Sequence, residues 1–352
     1  MKKKVAVAMS GGVDSSLCAA LLQEQGYEVL GITMRLSDDS REMDGVSSAA
    51  TDARRVADFL GIEHVVADFR TLFSDKVVDY FLTEYLTART PNPCVICNRF
   101  LKFGELLSFA REKGADFLAT GHYVRIEKEE DGSFALKKGR DEKKDQSYVL
   151  YRLPREILSH ILFPLGSYKK EETRALARKL SLPVANKAES QEICFVPEDD
   201  YKAYLSQHRP NRFRTGDIVD MQGQILGQHR GLPFYTIGQR KGLGIAAAHP
   251  LYVIALDEAN NRVIVGKNEE LYASSLFASD VNWLMEEPTR EISVHAKIRY
   301  GSREVQANVL PLKDRAVKVS FLEPQRAVTP GQSVVFYSGE RLVGGATIES
   351  RT

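Results

Sequence analysis

The stretch "AVAMSGGVDSS", residues 6–16, runs as an apolar strand, breaks on Ser10-Gly11-Gly12, and at once begins a helical pattern that lasts to Gly26. A strand, a glycine-rich turn and a helix leave backbone N–H groups and the positive end of the helix dipole directed at the turn, an arrangement that binds phosphate. Gly11 and Gly12 let a ligand approach the backbone, and Ser10, Ser15 and Ser16 add hydroxyl donors. Asp14 suits an anion site only if it also holds a cation, and a hard carboxylate fits Mg2+. No Gly-Lys-Ser/Thr closes the loop, and the spacing of the dinucleotide fingerprint is missing, so neither γ-phosphate transfer nor a dinucleotide is favoured. The plain alternative is a strand-to-helix turn with Asp14 as a partner for the helix dipole.

Outward from this stretch, strand and helix alternate. Residues 27–36 and 63–69 read as strands, 51–60 as a helix closed by Gly61, 98–113 as a helix closed by Gly114, and 115–120 as a strand. Strict alternation predicts a doubly wound parallel α/β sheet, and the opening loop would then lie at its switch point. Past it, residues 127–144 are charged and read as an exposed hairpin or a mobile loop. Residues 169–180 are helical, and Pro183 ends them. Residues 213–244 are rich in Gly and Arg. From His295 on, "HAKIRY", "VQANVL", "AVKVSF" and "QSVVFY" alternate between turns, which predicts a small antiparallel β-barrel. The expected domains are 1–199 for the α/β unit, 200–268 for a basic central unit to which part of 161–182 is a candidate addition, and 269–352 for the barrel.

The 352 residues carry a net charge of only +1. That balance hides a gradient: residues 1–100 hold 11 Lys/Arg against 14 Asp/Glu, whereas 208–241 hold six against two. A polyanion partner is therefore expected past the N-terminal third. The apolar run after Lys2-Lys3-Lys4 is too short for a secretion signal, and no segment approaches the ~20 apolar residues of a membrane span, so a cytosolic protein without a membrane partner is expected. Four cysteines, Cys18, Cys94, Cys97 and Cys194, point in such a compartment to thiols, ligands or catalytic groups.

Within "NPCVICNRFLKFGELL", residues 92–107, Cys97 opens a predicted amphipathic helix, whose dipole would favour the thiolate. "ESQEICFVP", residues 189–197, adds Cys194 beside another apolar turn. Two thiols flanked by turn signals suggest sulfur chemistry at a shared site, against the reading that each is a small buried hydrophobe. Cys18, among Leu17, Leu21 and Leu22, fits core packing.

SGGVDSS after a strand resembles the PP-loop of ATP pyrophosphatases, enzymes that split ATP between the α and β phosphates to adenylate a substrate oxygen. Taken with NP-x-x-x-CNR-x-x-KF, ATGHYVR, DQSYVLY, S-x-x-ICF, T-x-GQRKGLG, KIRY and TPGQ-x-VVFY in that order, the whole chain resembles the tRNA-specific 2-thiouridylase family, which makes 2-thiouridine at the tRNA wobble position. The resemblance implies that Cys194 carries sulfur as a persulfide and that Cys97 helps release it, with a Cys97–Cys194 disulfide as one product. It implies ATP at Ala8, Met9, Ser10, Gly11, Gly12, Val13, Asp14, Ser15, Met34 and Gly121, and tRNA at His122, Lys144, Asp145, Gln146, Arg299, Tyr300 and Gln332. Lys143, Arg209, Arg212, Arg214, Arg240 and Lys241 would add phosphate contacts, and Tyr300 and His122 would stack on bases.

Much of that family has Asp where this chain has Cys94. Cys94, Cys97 and Cys194 together offer three thiolates to a 4Fe-4S cluster with one open iron, an alternative sulfur carrier to the persulfide. A sulfur donor, as carrier protein or sulfide, is a further partner. An ATP-dependent amidotransferase or synthetase would share the loop but not need the thiols, and a non-catalytic RNA- or nucleotide-binding module would release no pyrophosphate.

Overall fold

Val5, Ala6 and Val7 are fully buried at the middle of strand β1 (Lys4–Ala8). A strand buried on both faces belongs at the centre of a helix-covered sheet. The computed structural model, which describes residues 2–37, 48–188 and 193–352, places it there. The chain continues through β2 (Glu28–Arg35), β3 (Glu63–Asp68), β4 (Phe117–Ala119), a hairpin of β5 (Val124–Lys128) and β6 (Phe134–Lys138), and β7 (Ile161–Leu162). Without the hairpin these strands form a parallel sheet in the order β3-β2-β1-β4-β7. From β1 the chain builds outward on one side through β2 and then returns to β1's other edge as β4, so the loop after β1 is the switch point.

Helix α1 (Val13–Glu24) packs its buried Cys18 and Leu22 under the sheet with Val5, Val7 and Val56, and Val56 belongs to α2 (Ser48–Leu60). The alternation does not anticipate the helical stretch after β3: α3 (Arg70–Phe73), a π-helical turn over Ser74–Val78, and α4 (Asp79–Leu86). The cysteine helix begins earlier than expected, as α5 (Pro93–Ile96), and passes through a π-helical stretch, Cys97–Glu105, into α6 (Leu106–Glu112). Helix α7 (Lys170–Lys179) packs on α1 through Ala177, Leu17 and Leu21, so residues 170–179 lie against the N-terminal sheet's own helix.

After α8 (Tyr201–His208) come β8 (Gly216–Val219), β9 (Ile225–His229), β10 (Tyr252–Asp257) and β11 (Arg262–Gly266), which form a four-stranded sheet ordered β10-β11-β8-β9. Strands β12 (Tyr272–Trp283), β13 (Ile292–Lys297), β14 (Val305–Pro311), β15 (Val317–Arg326), β16 (Ser333–Ser338) and β17 (Arg341–Arg351) then pair antiparallel, and β12 closes on β17 to make the barrel. Of "HAKIRY" only the first part is strand, because β13 stops at Lys297 and leaves Arg299 and Tyr300 in the following turn. The charged segment past residue 124 is the hairpin rather than a mobile loop, and β6 pairs with β17 as an extension of the barrel's sheet. One apolar cluster runs through Leu30, Leu118, Tyr148, Tyr151, Val335 and Leu342, so the N-terminal sheet and the barrel share a core. Among the described residues, no helix is long and apolar enough to cross a membrane.

Candidate active site

The nucleotide candidates come together because parallel strands end on one edge. Residues 8–15 follow β1, Met34 lies near the end of β2, and Gly121 follows β4. Since β2 and β4 flank β1, all three segments border the same crevice. No side chain caps the first turn of α1, and its leading N–H groups remain for a ligand. The Ser15 hydroxyl receives the Ser10 N–H at 3.1 Å, and the Ser16 hydroxyl donates to the Gly12 carbonyl at 2.8 Å, so the serines fix the turn itself. Gly11 has φ +67°, and a Cβ there would stand 2.4 Å from the Ala49 carbonyl oxygen, so α2's approach already demands glycine. At Gly121 a Cβ would lie 3.0 Å from the backbone of Asp14 and Ser15.

Two lysines that sequence reasoning missed reach this loop. Lys170 donates to both Asp14 oxygens at 2.7 Å, and the Tyr123 hydroxyl donates to Asp14 at 2.9 Å. Lys187 donates to the Gly11 carbonyl at 3.1 Å and to Asp52 at 2.6 Å. Nothing local marks either: Lys170 stands at the start of the helical pattern of 169–180, and Lys187 stands between uncharged neighbours after it.

The thiols form a second group beside it. Cys97 is buried, whereas Cys94 and Cys194 reach the surface from within closely packed surroundings that still strip water from their thiols. Cys97 is not at a helix start, because the helix begins at Pro93 and continues through it. The expected lowering of its pKa is therefore corrected: burial pushes the Cys97 thiol up, and Cys94 likewise. Burial first, then the neighbouring Cys97 and Cys94, pushes Cys194 up to about 11. The three thiols thus lie within one another's electrostatic reach. Lys102 is the nearby charge that opposes the rise at all three. In a π-helical stretch the hydrogen bonds run i to i+5, and this spacing turns Lys102 toward the face of Cys97, five residues before it.

The same lysine reaches the nucleotide side. His122, next to Gly121, is held neutral by burial and then by Lys102, well below the usual imidazole range, and its Nδ1 is 2.7 Å from the Thr120 hydroxyl. Phe103, next to Lys102, packs against the His122 ring at 5.9 Å. Residues 102–103 and 121–122 therefore join the thiols to the loop after β1.

Three family models match in succession: a "tRNA methyl transferase HUP domain" over residues 3–198, a "tRNA methyl transferase PRC-barrel domain" over 202–267, and an "aminomethyltransferase beta-barrel domain" over 273–348. A tRNA-specific 2-thiouridylase MnmA 1 of Caldanaerobacter subterraneus subsp. tengcongensis is 52% identical over 100% of this chain and 99% of that protein. A tRNA-specific 2-thiouridylase MnmA of Carboxydothermus hydrogenoformans is 52% identical over 99% of this chain and 98% of its own length. The chain belongs to the tRNA-specific 2-thiouridylase family.

The residues that the 2-thiouridylase pattern assigns to tRNA fall in two sets. One set is engaged within the fold. Asp145 accepts from the Gly139 N–H at 2.9 Å and from the Ser147 hydroxyl at 2.7 Å, and the Gln146 side-chain oxygen accepts from the Tyr123 N–H at 2.9 Å. Gln332 donates to the Thr90 and Pro91 carbonyls at 3.0 and 3.2 Å, just ahead of the cysteine helix. His122 is 9% exposed, with Phe103 and Phe163 against its ring, so its faces are not open for stacking. The other set is presented outward. Tyr300 is 45% exposed, its ring 6.1 Å from Tyr148 with the Lys297 ammonium 5.6 Å from it, and both Asp145 and Cys94 add to the burial that raises its pKa. Arg299 is half-buried and donates to the Arg326 carbonyl, and Lys144 is half-buried in the turn before Asp145. Of the basic residues, Arg209 is paired with Asp79 at 2.6 Å, while Lys143, Arg212, Arg214, Arg240 and Lys241 are exposed.

For a 2-thiouridylase with three thiols, two metal readings can be tested against the donors. Among the described residues no group of three His, Cys, Asp or Glu side chains is close enough to hold a metal ion. Cys94, Cys97 and Cys194 are thus not gathered about a single ion, and both Asp14 oxygens are taken by Lys170. Ser190 of the S-x-x-ICF pattern lies outside the described residues.

Proposed function

We propose that this chain replaces the C2 oxygen of the wobble uridine of tRNA with sulfur, using ATP, in the cytosol. The observation that carries the reading is the meeting of two chemistries on residues 102–103 and 121–122: a turn suited to the phosphates of ATP and three thiols in mutual electrostatic reach. In this reading ATP lies along Ala8–Ser15, Met34 and Gly121. The uridine C2 oxygen attacks the α-phosphate, pyrophosphate leaves, and the oxygen becomes part of an AMP leaving group. Cys194 first accepts sulfane sulfur from a persulfide donor, whose thiol is released, and the outer sulfur of the resulting Cys194 persulfide then bonds to C2. Cys97, as thiolate, takes the inner sulfur to form the Cys97–Cys194 disulfide, the C2 sulfur is retained, and AMP departs. A two-electron thiol reductant restores both cysteines.

The raised thiols make this chain's electrostatics part of the reaction. In the free protein the cysteines are held protonated by burial, so Lys102 is the group positioned to stabilise sulfur once it is ionised. The uridine leaves its stack to reach the site, at modest cost in a single-stranded anticodon loop. Tyr300 gives it an aromatic surface beside Cys94, and the exposed basic residues give the tRNA backbone sequence-independent contacts. Mg2+ would arrive with the ATP phosphates, and Asp14 would join it only by giving up Lys170. The extra thiol, Cys94, is the feature that favours a cluster-bound sulfide as second reading.

The test is mass spectrometry of nucleosides from tRNA incubated with the protein, ATP, Mg2+, a donor of sulfane sulfur such as a low-molecular-weight persulfide, and a thiol reductant. 2-Thiouridine is expected with wild type and not with C97S or C194S. No thiolated nucleoside even with wild type, together with ATP turnover that neither variant diminishes, would point instead to a synthetase or amidotransferase.

A further inference from the structure

Cys194 occupies the second position of a tight turn, residues 193–196, closed by the Val196 N–H donating to the Ile193 carbonyl at 2.9 Å. The other three side chains of the turn are packed. Val196 is a buried member of the cluster of Phe81, Leu82 and Leu205, and Ile193 and Phe195 pack against it. Phe195 also packs against a second cluster, that of Phe73, Ile96, Cys97 and Leu101. Cys194 alone is exposed.

Phe195 is thus the side chain common to the wall that contains Cys97 and the wall that contains α8. Its ring makes edge-on contacts with Phe73 at 5.4 Å and 81°, Phe81 at 5.2 Å and 84°, and Tyr204 at 5.5 Å and 64°. These rings come from α3, α4 and α8. Edge-on geometry around a half-buried ring fixes its tilt as well as its depth, and the tilt sets where the adjoining Cys194 points. The chain leaves the turn through Glu198 and Asp199, both with φ near +55°, and enters α8 at Asp200, whose carboxylate accepts the Lys202 and Ala203 N–H groups at 3.0 Å. The turn is tied to α8 by backbone as well as by ring.

We propose that Phe195 is a positioning residue that keeps Cys194 within reach of Cys97 by locking their two walls together. The proposal rests on Cys97 and Cys194 being the reacting pair, and it adds the side chain that sets their effective concentration.

The test uses the full-length protein in glutathione redox buffer, without ATP or tRNA. Two thiols pass two electrons and two protons to glutathione disulfide, giving the Cys97–Cys194 disulfide and two glutathiones. Peptide mass spectrometry gives the ratio of that disulfide to the mixed glutathione disulfide on Cys194. In F195A the ratio is expected to fall roughly 10- to 100-fold, the scale of loss when a held group is set free. F195L, which keeps bulk but not ring edges, should fall between, and Y204L should lower the ratio from the α8 side. Should F195A fail to fold, F195L and Y204L decide the matter. Folded variants that keep the wild-type ratio, or a wild type that forms no Cys97–Cys194 disulfide, would overturn the proposal. A C194S protein that still thiolates tRNA would defeat the proposed reaction while leaving this measurement standing.

Discussion

Single atoms decide the nucleotide loop. A methyl at residue 121 would sit 3.0 Å from the Asp14 and Ser15 backbone, which cannot yield as a flexible side-chain end would. Gly121→Ala is therefore expected to raise the KM for ATP about tenfold or more, through displacement of the loop on the order of a few tenths of an ångström, as measured by pyrophosphate release at varied ATP. The thiols offer a second check. With Cys194 pushed up to about 11 by burial and then by its neighbours, its thiolate is scarce at neutral pH. Its alkylation by iodoacetamide should quicken about tenfold per pH unit and keep rising beyond pH ~9, where an unburied thiol levels off. A plateau by that pH would show a solvated thiol. At this scale the sequence placed the turn after β1 and singled out both cysteines as candidates, because each is a local pattern. It could not show that Asp14 is neutralised by Lys170, 156 positions away, or that Cys97 has a turn of helix ahead of it.

Secondary elements turn those atoms toward one another. The bond between Lys170 on α7 and Asp14 on α1 joins two helices that also share apolar packing. With Lys170 only 10% exposed at its side chain and Asp14 29%, Lys170→Met should cost about 1–3 kcal/mol, since it leaves a partly buried carboxylate unpaired. The double variant Lys170→Met, Asp14→Asn should recover part of that loss in calorimetric unfolding. Short apolar runs bounded by turn residues made β1, α1, β2 and β3 legible, because β1 and β2 are buried in continuous runs as strands of a covered parallel sheet must be, and α1 is closed by Gly26. The π-helical stretches were not legible: a widened turn is imposed by tertiary packing, and an α-period reading of residues 97–105 puts Lys102 on a different face.

Across the whole molecule, the barrel braces the approach to the thiols. Arg89 bonds Glu84 at 2.8 Å and Glu349 of β17 at 2.6 Å, the Thr90 N–H donates to the Pro330 carbonyl at 2.9 Å, and Gln332 holds Thr90 and Pro91. Asn92 and Pro93 follow directly. Arg89→Ala is expected to lower unfolding stability by about 2 kcal/mol, since two carboxylates lose their partner. It should also reduce kcat for thiolation while leaving the KM for ATP unchanged, which separates the brace from the nucleotide loop. Alternation along the late strands foretold a barrel, but no local signal says that its turns grip residues 84–91.

That grip also has a timetable. Arg89 and Glu349 are 260 residues apart, and a ribosome adding ~5–20 residues per second needs on the order of tens of seconds to span such a gap. During translation the nascent α/β sheet must therefore wait with Cys94 and Cys97 already emerged and their leading segment unsecured. Oxidants or chaperones that meet the growing chain would find those sulfurs in a looser setting than the finished enzyme ever offers.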